Sequence, residues 1–155
     1  MIVSDILRLK GKALYTITPE DSLADAASLM AEKDVGSLVV VSHERVVGIL
    51  TFREVIEAAV KNGGKFEGVS VYRSMDPGPL ICTAATEMDE VRRMMLNRHA
   101  RYMPVIENRR LVGVISFYDV AKAVVDSQDF ENRMLKAYIR DWPDEDPKHN
   151  EPNFP

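Results

Sequence analysis

The 155-residue chain contains nearly the same segment twice. Residues 46–55, VVGILTFREV, return as residues 111–120, LVGVISFYDV, at a displacement of 65 positions. The same displacement carries Thr18 onto Thr83. A displacement that holds over most of a repeat indicates two copies of one supersecondary unit, and such units bury their apolar faces against each other. We therefore expect two equivalent halves, related by a pseudo-twofold axis, with a pair of clefts between them.

The composition is typical of a soluble protein of the cytoplasm. Apolar residues make up 46% of the chain and charged residues 28%, which is ordinary for a globular domain. No apolar run approaches the roughly 18 residues of a membrane span, and the first residues lack the pattern of a secretory signal. Cys82 is the single cysteine, which excludes an internal disulfide and fits a reducing compartment. The net charge of −4 argues against nucleic acid or a membrane as a partner.

Within each copy, the hydrophobic pattern predicts the order strand, helix, strand, strand, helix. The first copy opens with a short extended segment, residues 13–18, and apolar residues at helical spacing predict a helix over residues 22–33. Two β-branched runs, residues 38–41 and 46–50, flank a polar turn and predict a hairpin, and a second helix is predicted over residues 52–62. The second copy repeats this order over residues 80–83, 87–98, 103–106, 111–115 and 117–127.

Four segments are predicted along the chain. The first repeat is assigned to residues 1–65 and the second to residues 66–127. Residues 128–142 carry apolar side chains four positions apart, which predicts an additional C-terminal helix. Residues 143–155 are dominated by proline and acidic residues, which predicts a disordered tail because little apolar surface is present to offset the ordering entropy.

Three motifs give the chain a resemblance to a known family. They are the double Val-Gly-hydrophobic-hydrophobic-Ser/Thr-x-x-Asp/Glu pattern, the Thr-Pro-Glu-Asp-Ser-Leu opening at residues 18–23, and the Met-Pro-Val-Ile strand at residues 103–106. Over residues 1–127 the chain resembles a tandem pair of cystathionine-β-synthase (CBS) domains, the arrangement called a Bateman module. The resemblance implies an α/β (α+β) fold of two β-α-β-β-α repeats, each with a three-stranded sheet, packed sheet to sheet with pseudo-twofold symmetry. The C-terminal helix would be added to this core.

The resemblance also implies what the protein binds. Members of the family take an adenine nucleotide or a related adenosyl compound in the clefts between the repeats. AMP, ADP, ATP, NAD or S-adenosylmethionine is therefore expected as a regulatory ligand and not as a catalytic cofactor. Members often form homodimers, and most regulate an enzyme or a transporter. Ligand binding would favour one orientation of the repeats, which an unidentified regulated protein would recognise.

The repeated Ser/Thr-x-x-Asp/Glu element is the first candidate for ligand contact. Ser116 with Asp119, and Thr51 with Glu54, are typical of a helix capping box, in which hydroxyl and acid both bond the helix backbone. A helix start also favours phosphate, and the resemblance implies that the aspartate of this motif binds a ribose diol. Both interpretations stand open for Asp119. Because Glu54 replaces the usual aspartate, we expect its cleft to be the weaker one, or empty.

The remaining candidates would surround the base and the phosphates. The resemblance implies that Val114 and Ile49 line the base, although plain strand core explains both residues equally well. Arg101 is the preferred phosphate partner, because a guanidinium can bind phosphate with two hydrogen bonds. The main cleft is thus assigned Asp119, Ser116, Tyr118, Val114, Arg101, Tyr102, Ser37 and Gly36, and the weaker cleft is assigned Thr51, Arg53, Glu54 and Ile49.

Other functions compete with ligand binding. The alternative is a structural homodimer or scaffold with vestigial clefts, in which the apolar C-terminal helix contacts a partner. Catalysis is not expected, since the histidines are widely separated and neither a metal-binding spacing nor a phosphate-binding glycine motif occurs. Cys82 lies in a strand pattern, which favours buried core over a nucleophile. The arginines of the second repeat lack interleaved aromatic residues, which disfavours nucleic acid.

Overall fold

The computed structural model describes residues 1–11 and 13–141 of the chain. Within these residues its elements are α1 (Val3–Lys10), β1 (Thr16–Ile17), α2 (Leu23–Lys33), β2 (Ser37–Ser42), β3 (Arg45–Thr51), α3 (Phe52–Lys61), α4 (Val71–Ser74), α5 (Met88–Arg98), β4 (Tyr102–Glu107), β5 (Arg110–Ser116) and α6 (Phe117–Asp141). Helices combined with two sheets confirm the predicted α/β fold class. The tail predicted over residues 143–155 lies outside the described residues, as does Trp142.

Two sheets, one from each repeat, pack against each other through β3 and β5. In the first sheet, β1 runs parallel to β2, which is antiparallel to β3, and in the second sheet β4 is antiparallel to β5. Both hairpins close through two residues with positive φ angles, a backbone that matches the twist of the flanking strands. These residues are His43 (51°), Glu44 (64°), Asn108 (48°) and Arg109 (66°). The predicted hairpins and the predicted sheet-to-sheet packing are therefore present.

The second sheet has two strands, whereas three were expected. The segment over residues 80–83 was predicted to be extended. It forms one isolated parallel bridge, from Cys82 to Val105. Cys82 donates its N–H to the carbonyl oxygen of Pro104 at 3.1 Å and accepts from the N–H of Ile106 at 2.9 Å. Pro104 stands where the first repeat has Val39, which pairs with Thr16, and proline has no N–H to donate to the neighbouring strand, so the second bridge is lost.

The core of each repeat consists of aliphatic and methionine side chains on the inner faces of the strands and of α2 and α5. Complete burial of such a side chain contributes about 1.5–3 kcal/mol relative to leaving it in water. The largest fully buried side chains include Leu23, Leu38, Leu50, Met95, Met103 and Ile115. Cys82 also belongs to the core, and burial raises the pKa of its thiol to about 12, as expected for a packing residue kept neutral.

The first helix of each repeat, α1 in the first and α4 in the second, is bonded to the other repeat. Val3, at the start of α1, donates its N–H to the carbonyl oxygen of Thr86 in the second repeat at 2.9 Å. Val71, at the start of α4, donates in the same way to Asp21 in the first repeat at 2.9 Å. We call these two helices, Val3–Lys10 and Val71–Ser74, the arms. Val3 and Val71 are both fully buried, so each arm anchors the body of the other repeat.

Helix α6 continues without interruption through the boundary predicted between residues 127 and 128. The linking residues contain neither glycine nor proline, so nothing in the backbone ends the helix there. The chain divides into two compact units, Met1–Val120 and Ala121 onward, and α6 contributes to both. Among the described helices, none combines the length and the apolar character that a membrane crossing requires.

Candidate functional site

A hollow of about 500 Å³ opens where the start of α3 faces the segment between α5 and β4. Residues from three stretches line it, 49–56 in the first repeat, 76–80 after α4, and 98–102 in the second repeat. We call this cavity the Glu54 hollow. Its volume lies within the range of about 300–1,000 Å³ that small-molecule sites occupy. Both repeats therefore contribute walls to one cavity of ligand size.

The start of α3 forms the capping box that its sequence predicts. The backbone N–H of Thr51 donates to Oε2 of Glu54 at 2.9 Å, and the Thr51 hydroxyl donates to the same oxygen. Phe52 donates its N–H to the carbonyl oxygen of Gly36 at 3.3 Å, which ties the helix start to the beginning of β2. The capping interpretation is thus realised, and the carboxylate that it holds lies in the wall of the Glu54 hollow.

Gly36 leaves room for the phenol of Tyr102, which lies directly against it. A Cβ atom on Gly36 would come within 1.9 Å of the Tyr102 hydroxyl oxygen and 2.9 Å of Cζ. Tyr102 begins β4 and lines the Glu54 hollow, so a residue of the second repeat is seated on the backbone of the first. Side chains larger than glycine at position 36 would displace it.

Three arginines, contributed by both repeats, line the Glu54 hollow. Arg53, Arg98 and Arg101 line it with exposed side chains, and none of the three forms an ion pair within the described residues. Glu54 and Asp76 are the acidic residues that line the same cavity. The arrangement leaves guanidinium donors available to an anionic group of a ligand.

Two residues assigned to the cleft of Asp119 line the other cavity, although their backbones adjoin the Asp119 capping box. Phe117 donates its N–H to the carbonyl oxygen of Arg101 at 2.7 Å, and Tyr102 pairs with Ser116 across β4 and β5. Arg101 and Tyr102 line the Glu54 hollow, whereas they were assigned to the cleft of Asp119. Their placement follows from the packing of the repeats, because the segment between α5 and β4 faces the helix start of the other repeat. The cleft expected to be weaker, that of Ile49, Thr51, Arg53 and Glu54, is therefore the one that gains Arg101 and Tyr102.

Asp119 is held by groups of the protein itself. Its Oδ2 accepts the N–H of Ser116 at 2.9 Å, and Ser116 Oγ accepts the N–H of Asp119 at 3.1 Å, a second capping box. The ammonium group of Lys10 lies 2.8 Å from the same Oδ2 and donates to the carbonyl oxygen of Val114 at 2.7 Å. We call Lys10, Val114, Ser116 and Asp119 the Asp119 site. The Asp119 carboxylate is 15% exposed.

The other residues assigned to the main cleft lie at different places. Val114 and Lys10 line a further hollow of about 770 Å³. Its other walls are mainly apolar residues of α1, of β5 and of the short stretch Gly11, Ala13 and Leu14. Tyr118 is 73% exposed on the first turn of α6. Gly36 and Ser37 lie at the start of β2, and Gly36 contacts Tyr102 as described above.

Several residues of the Glu54 hollow were not identified from the sequence. Phe52 and Ile56 lie one helical turn apart on α3 and are 54% and 62% exposed, so they offer apolar surface to the cavity. Asp76, Pro79 and Leu80 come from the segment that joins the second arm to its repeat. Large apolar residues on a polar helix face were the available signal for the first two. The position of the joining segment had no sequence signal.

Comparison with known proteins identifies both repeats. The family model "CBS domain" matches residues 3–61 and 69–126. CBSX3 of Arabidopsis thaliana, named as a mitochondrial CBS domain-containing protein, is 30% identical over 147 residues, which cover 89% of this chain and 71% of that protein. The crystal structure of a CBS-domain containing protein from Agrobacterium tumefaciens is 32% identical, with a TM-score of 0.75, over 79% of this chain and 98% of that chain. The crystal structure of CBSX2 in complex with AMP shares the fold, with a TM-score of 0.67 at 24% identity, over 82% of this chain and 98% of that chain.

Proposed function

The chain belongs to the CBS-domain family, and we propose that it is a regulatory module without catalytic activity that binds an adenine nucleotide or a related adenosyl compound in the Glu54 hollow. One observation carries the proposal: the hollow lies between the repeats and combines a helix start, apolar surface and three arginines that form no ion pair within the described residues. AMP, ADP, ATP, NAD and S-adenosylmethionine are the candidate ligands. The cytoplasmic location stays a prediction from the sequence.

Each part of such a ligand has a matching feature in the hollow. The phosphates would lie near Arg53, Arg98 and Arg101, where charge-assisted hydrogen bonds are available and the start of α3 adds its partial positive charge. The base would lie on the exposed apolar faces of Phe52 and Ile56. Phe52, Arg53 and Ile56 belong to the first repeat, and Arg98 and Arg101 belong to the second, so one ligand would touch both repeats.

The ribose would meet the Glu54 carboxylate. Both hydrogen bonds of this group within the described residues use Oε2, which leaves Oε1 to accept from a ribose hydroxyl. Glutamate carries its carboxylate one methylene farther than the aspartate of the family pattern, so the sugar would sit farther from the helix axis. The available Oε1 is what supports a site that functions with glutamate, although the sequence alone favoured Asp119.

Regulation would follow from the contact with both repeats. A ligand that binds one relative orientation of the repeats more tightly shifts the population toward that orientation, by no more than its difference in affinity. The exchanged arms connect each repeat to the body of the other, so a change at the hollow reaches both halves of Met1–Val120. A regulated protein would recognise the favoured orientation.

Calorimetry of ligand-stripped protein tests the proposal. We expect at least one of the five candidate ligands to bind wild type, and Arg101→Met to weaken a phosphorylated ligand about tenfold or more, since hydrogen bonds to charged groups contribute about 1.5–3 kcal/mol. Arg109→Met, which removes an exposed arginine from the β4–β5 turn, is the matched control and should bind as wild type. Binding of none of the five, or an equal effect of both variants, would contradict the proposal.

A second candidate function is assembly into a homodimer. Phe52, Ile56 and Val60 on α3 are 54%, 62% and 71% exposed and follow one another at intervals of four, so they form one apolar face. Covering this face with a second copy would remove it from water. Light scattering should then give twice the chain mass of 17.5 kDa, and Val60→Glu should reduce it to one chain mass. Lys61→Glu changes a neighbouring position and should leave the dimer intact.

A further inference from the structure

We propose that Lys10 is an internal ligand of the Asp119 site and that it restricts this chain to one bound nucleotide, held in the Glu54 hollow. The inference deepens the proposed function and rests on it. It starts from the difference between two positions that the repeat makes equivalent. At one of them the carboxylate has no cationic partner within the described residues, and at the other it has Lys10.

The difference extends to the strand carbonyl beside each carboxylate. In the first repeat, the carbonyl oxygen of Ile49 accepts the backbone N–H of Asp76 at 2.9 Å. In the second repeat, the equivalent oxygen of Val114 accepts from the ammonium group of Lys10 at 2.7 Å. The same ammonium is 2.8 Å from Asp119 Oδ2. A positive charge of the protein therefore bridges two oxygens at the place where an adenosyl ligand would need acceptors.

A ribose that bonded Oδ2 of Asp119 would have to displace this ammonium. Displacement leaves Val114 without its donor and moves the charge of Lys10 away from a carboxylate that is only 15% exposed. Lys10 is 37% exposed, so the cost of displacement falls chiefly on the Asp119 carboxylate and the Val114 carbonyl, which would lose a charged donor. The internal cation competes with the ligand because it is always present.

The segments that would hold phosphate differ in the same direction. Residues 98–102, Arg-His-Ala-Arg-Tyr, line the Glu54 hollow, and the displacement of 65 relates them to residues 33–37, Lys-Asp-Val-Gly-Ser. Gly36 is the equivalent of Arg101, and Asp34 is the equivalent of His99. The ammonium of Lys33, in the place of Arg98, lies 5.7 Å from the centre of the Tyr15 ring. The segment that the repeat makes equivalent to residues 98–102 therefore carries fewer cationic donors for a phosphate.

The number of ligands per chain tests this role directly. Native mass spectrometry of the full chain, titrated separately with AMP and ATP, should show one nucleotide per chain for wild type. Lys10→Met keeps the aliphatic stem and removes the charge, and it should bind two. Lys10→Gln is a milder change, because the amide can still donate to Val114. It should also bind a second nucleotide, and the affinity of the Asp119 site for that nucleotide should be about tenfold higher than in wild type, which equals about 1.4 kcal/mol. Melting curves establish that each variant is folded.

Two matched variants locate the second ligand. Arg8→Met removes another cation of α1, one that pairs with Asp5 at the surface, and should still bind one nucleotide. Adding Asp119→Asn to Lys10→Met should return the count from two to one. Two nucleotides on wild type, or one nucleotide on both Lys10 variants, would overturn the inference about Lys10 and leave nucleotide binding in the Glu54 hollow standing. An absence of AMP and ATP from every variant would overturn the inference together with nucleotide binding in the Glu54 hollow.

Discussion

Gly48 and Gly113 occupy equivalent positions in β3 and β5, yet each lies against a different kind of neighbour. A Cβ atom on Gly48 would come within 2.7 Å of the carbonyl oxygen of Asp76 and of the sulfur of Met75. A Cβ atom on Gly113 would come within 2.7 Å of a terminal carbon of Leu7, and its three nearest atoms all belong to that side chain. A side chain can rotate away from an added methyl group, whereas a bonded backbone carbonyl cannot. Alanine should therefore be costly at position 48 and nearly neutral at position 113.

The expected difference follows from the contacts. Asp76 is fixed by two backbone hydrogen bonds with Ile49, each of 2.9 Å, and the methyl group on Gly48 would push them apart. Losing them costs about 1 kcal/mol each, and overpacking adds about 1–3 kcal/mol. Alanine also restricts the unfolded chain more than glycine does, which stabilises the folded protein by about 0.4–1 kcal/mol. Gly48→Ala should therefore lower the free energy of unfolding by about 2–5 kcal/mol.

Gly113→Ala is the matched control for this estimate. Moving Leu7 off its preferred rotamer costs about 0.5–1.5 kcal/mol, and the gain from the unfolded chain is about 0.4–1 kcal/mol. The two terms nearly cancel. Urea unfolding followed by circular dichroism should therefore separate the midpoints of the two variants by about 1 M, because m is about 1–3 kcal/mol/M for small proteins. Equal midpoints, or a lower midpoint for Gly113→Ala, would refute the reasoning.

Three further predictions concern the core and one helix cap. Because burial raises the pKa of Cys82 from 9.0 to about 12, the thiolate forms only in the unfolded chain between these values, and stability should fall there by about 1.4 kcal/mol per pH unit. Urea titrations at several pH values should show that Cys82→Ala lacks this component. Ser22 Oγ accepts the N–H of Asp25 at 3.0 Å, so Ser22→Ala should lose about 1 kcal/mol of unfolding free energy while Ser22→Thr retains most of it. Leu50→Ala should lose about 2–5 kcal/mol, against less than about 0.5 kcal/mol for Val112→Ala at a 46% exposed site of β5, both measured by urea unfolding.

Local elements could be predicted closely from the sequence because their signals are local. The helix predicted over residues 22–33 is observed as Leu23–Lys33, and the one predicted over residues 52–62 is observed as Phe52–Lys61. Apolar spacing and capping residues act within one or two turns, so a single chain displays them. The repeat predicted the pairing of two equivalent halves for the same reason, since each half carries its own apolar face.

The composition of each cleft could not be predicted in this way. Whether residues 98–102 face Glu54 or Asp119 is decided by how the sheets pack, and no motif states that choice. The exchange of the arms depends on backbone hydrogen bonds such as that from Val3 to Thr86, which any residue except proline can make. The contact of Lys10 with Asp119 could likewise not be predicted, because a lysine at the end of a short helix is most often a solvated charge.

The asymmetry of the two positions has a source in the length of the chain between arm and body. The bodies are related by a displacement of 65, whereas Val3 and Val71 are related by 68, so the first arm has three more residues before its repeat begins. These residues let α1 run for eight residues to Lys10, whereas α4 ends after four and Asp76 pairs with β3 instead. A side-chain cation thus takes one strand carbonyl and a backbone amide takes the other. A difference in chain length, and not in the shared motif, is therefore sufficient to give two duplicated carboxylates different partners.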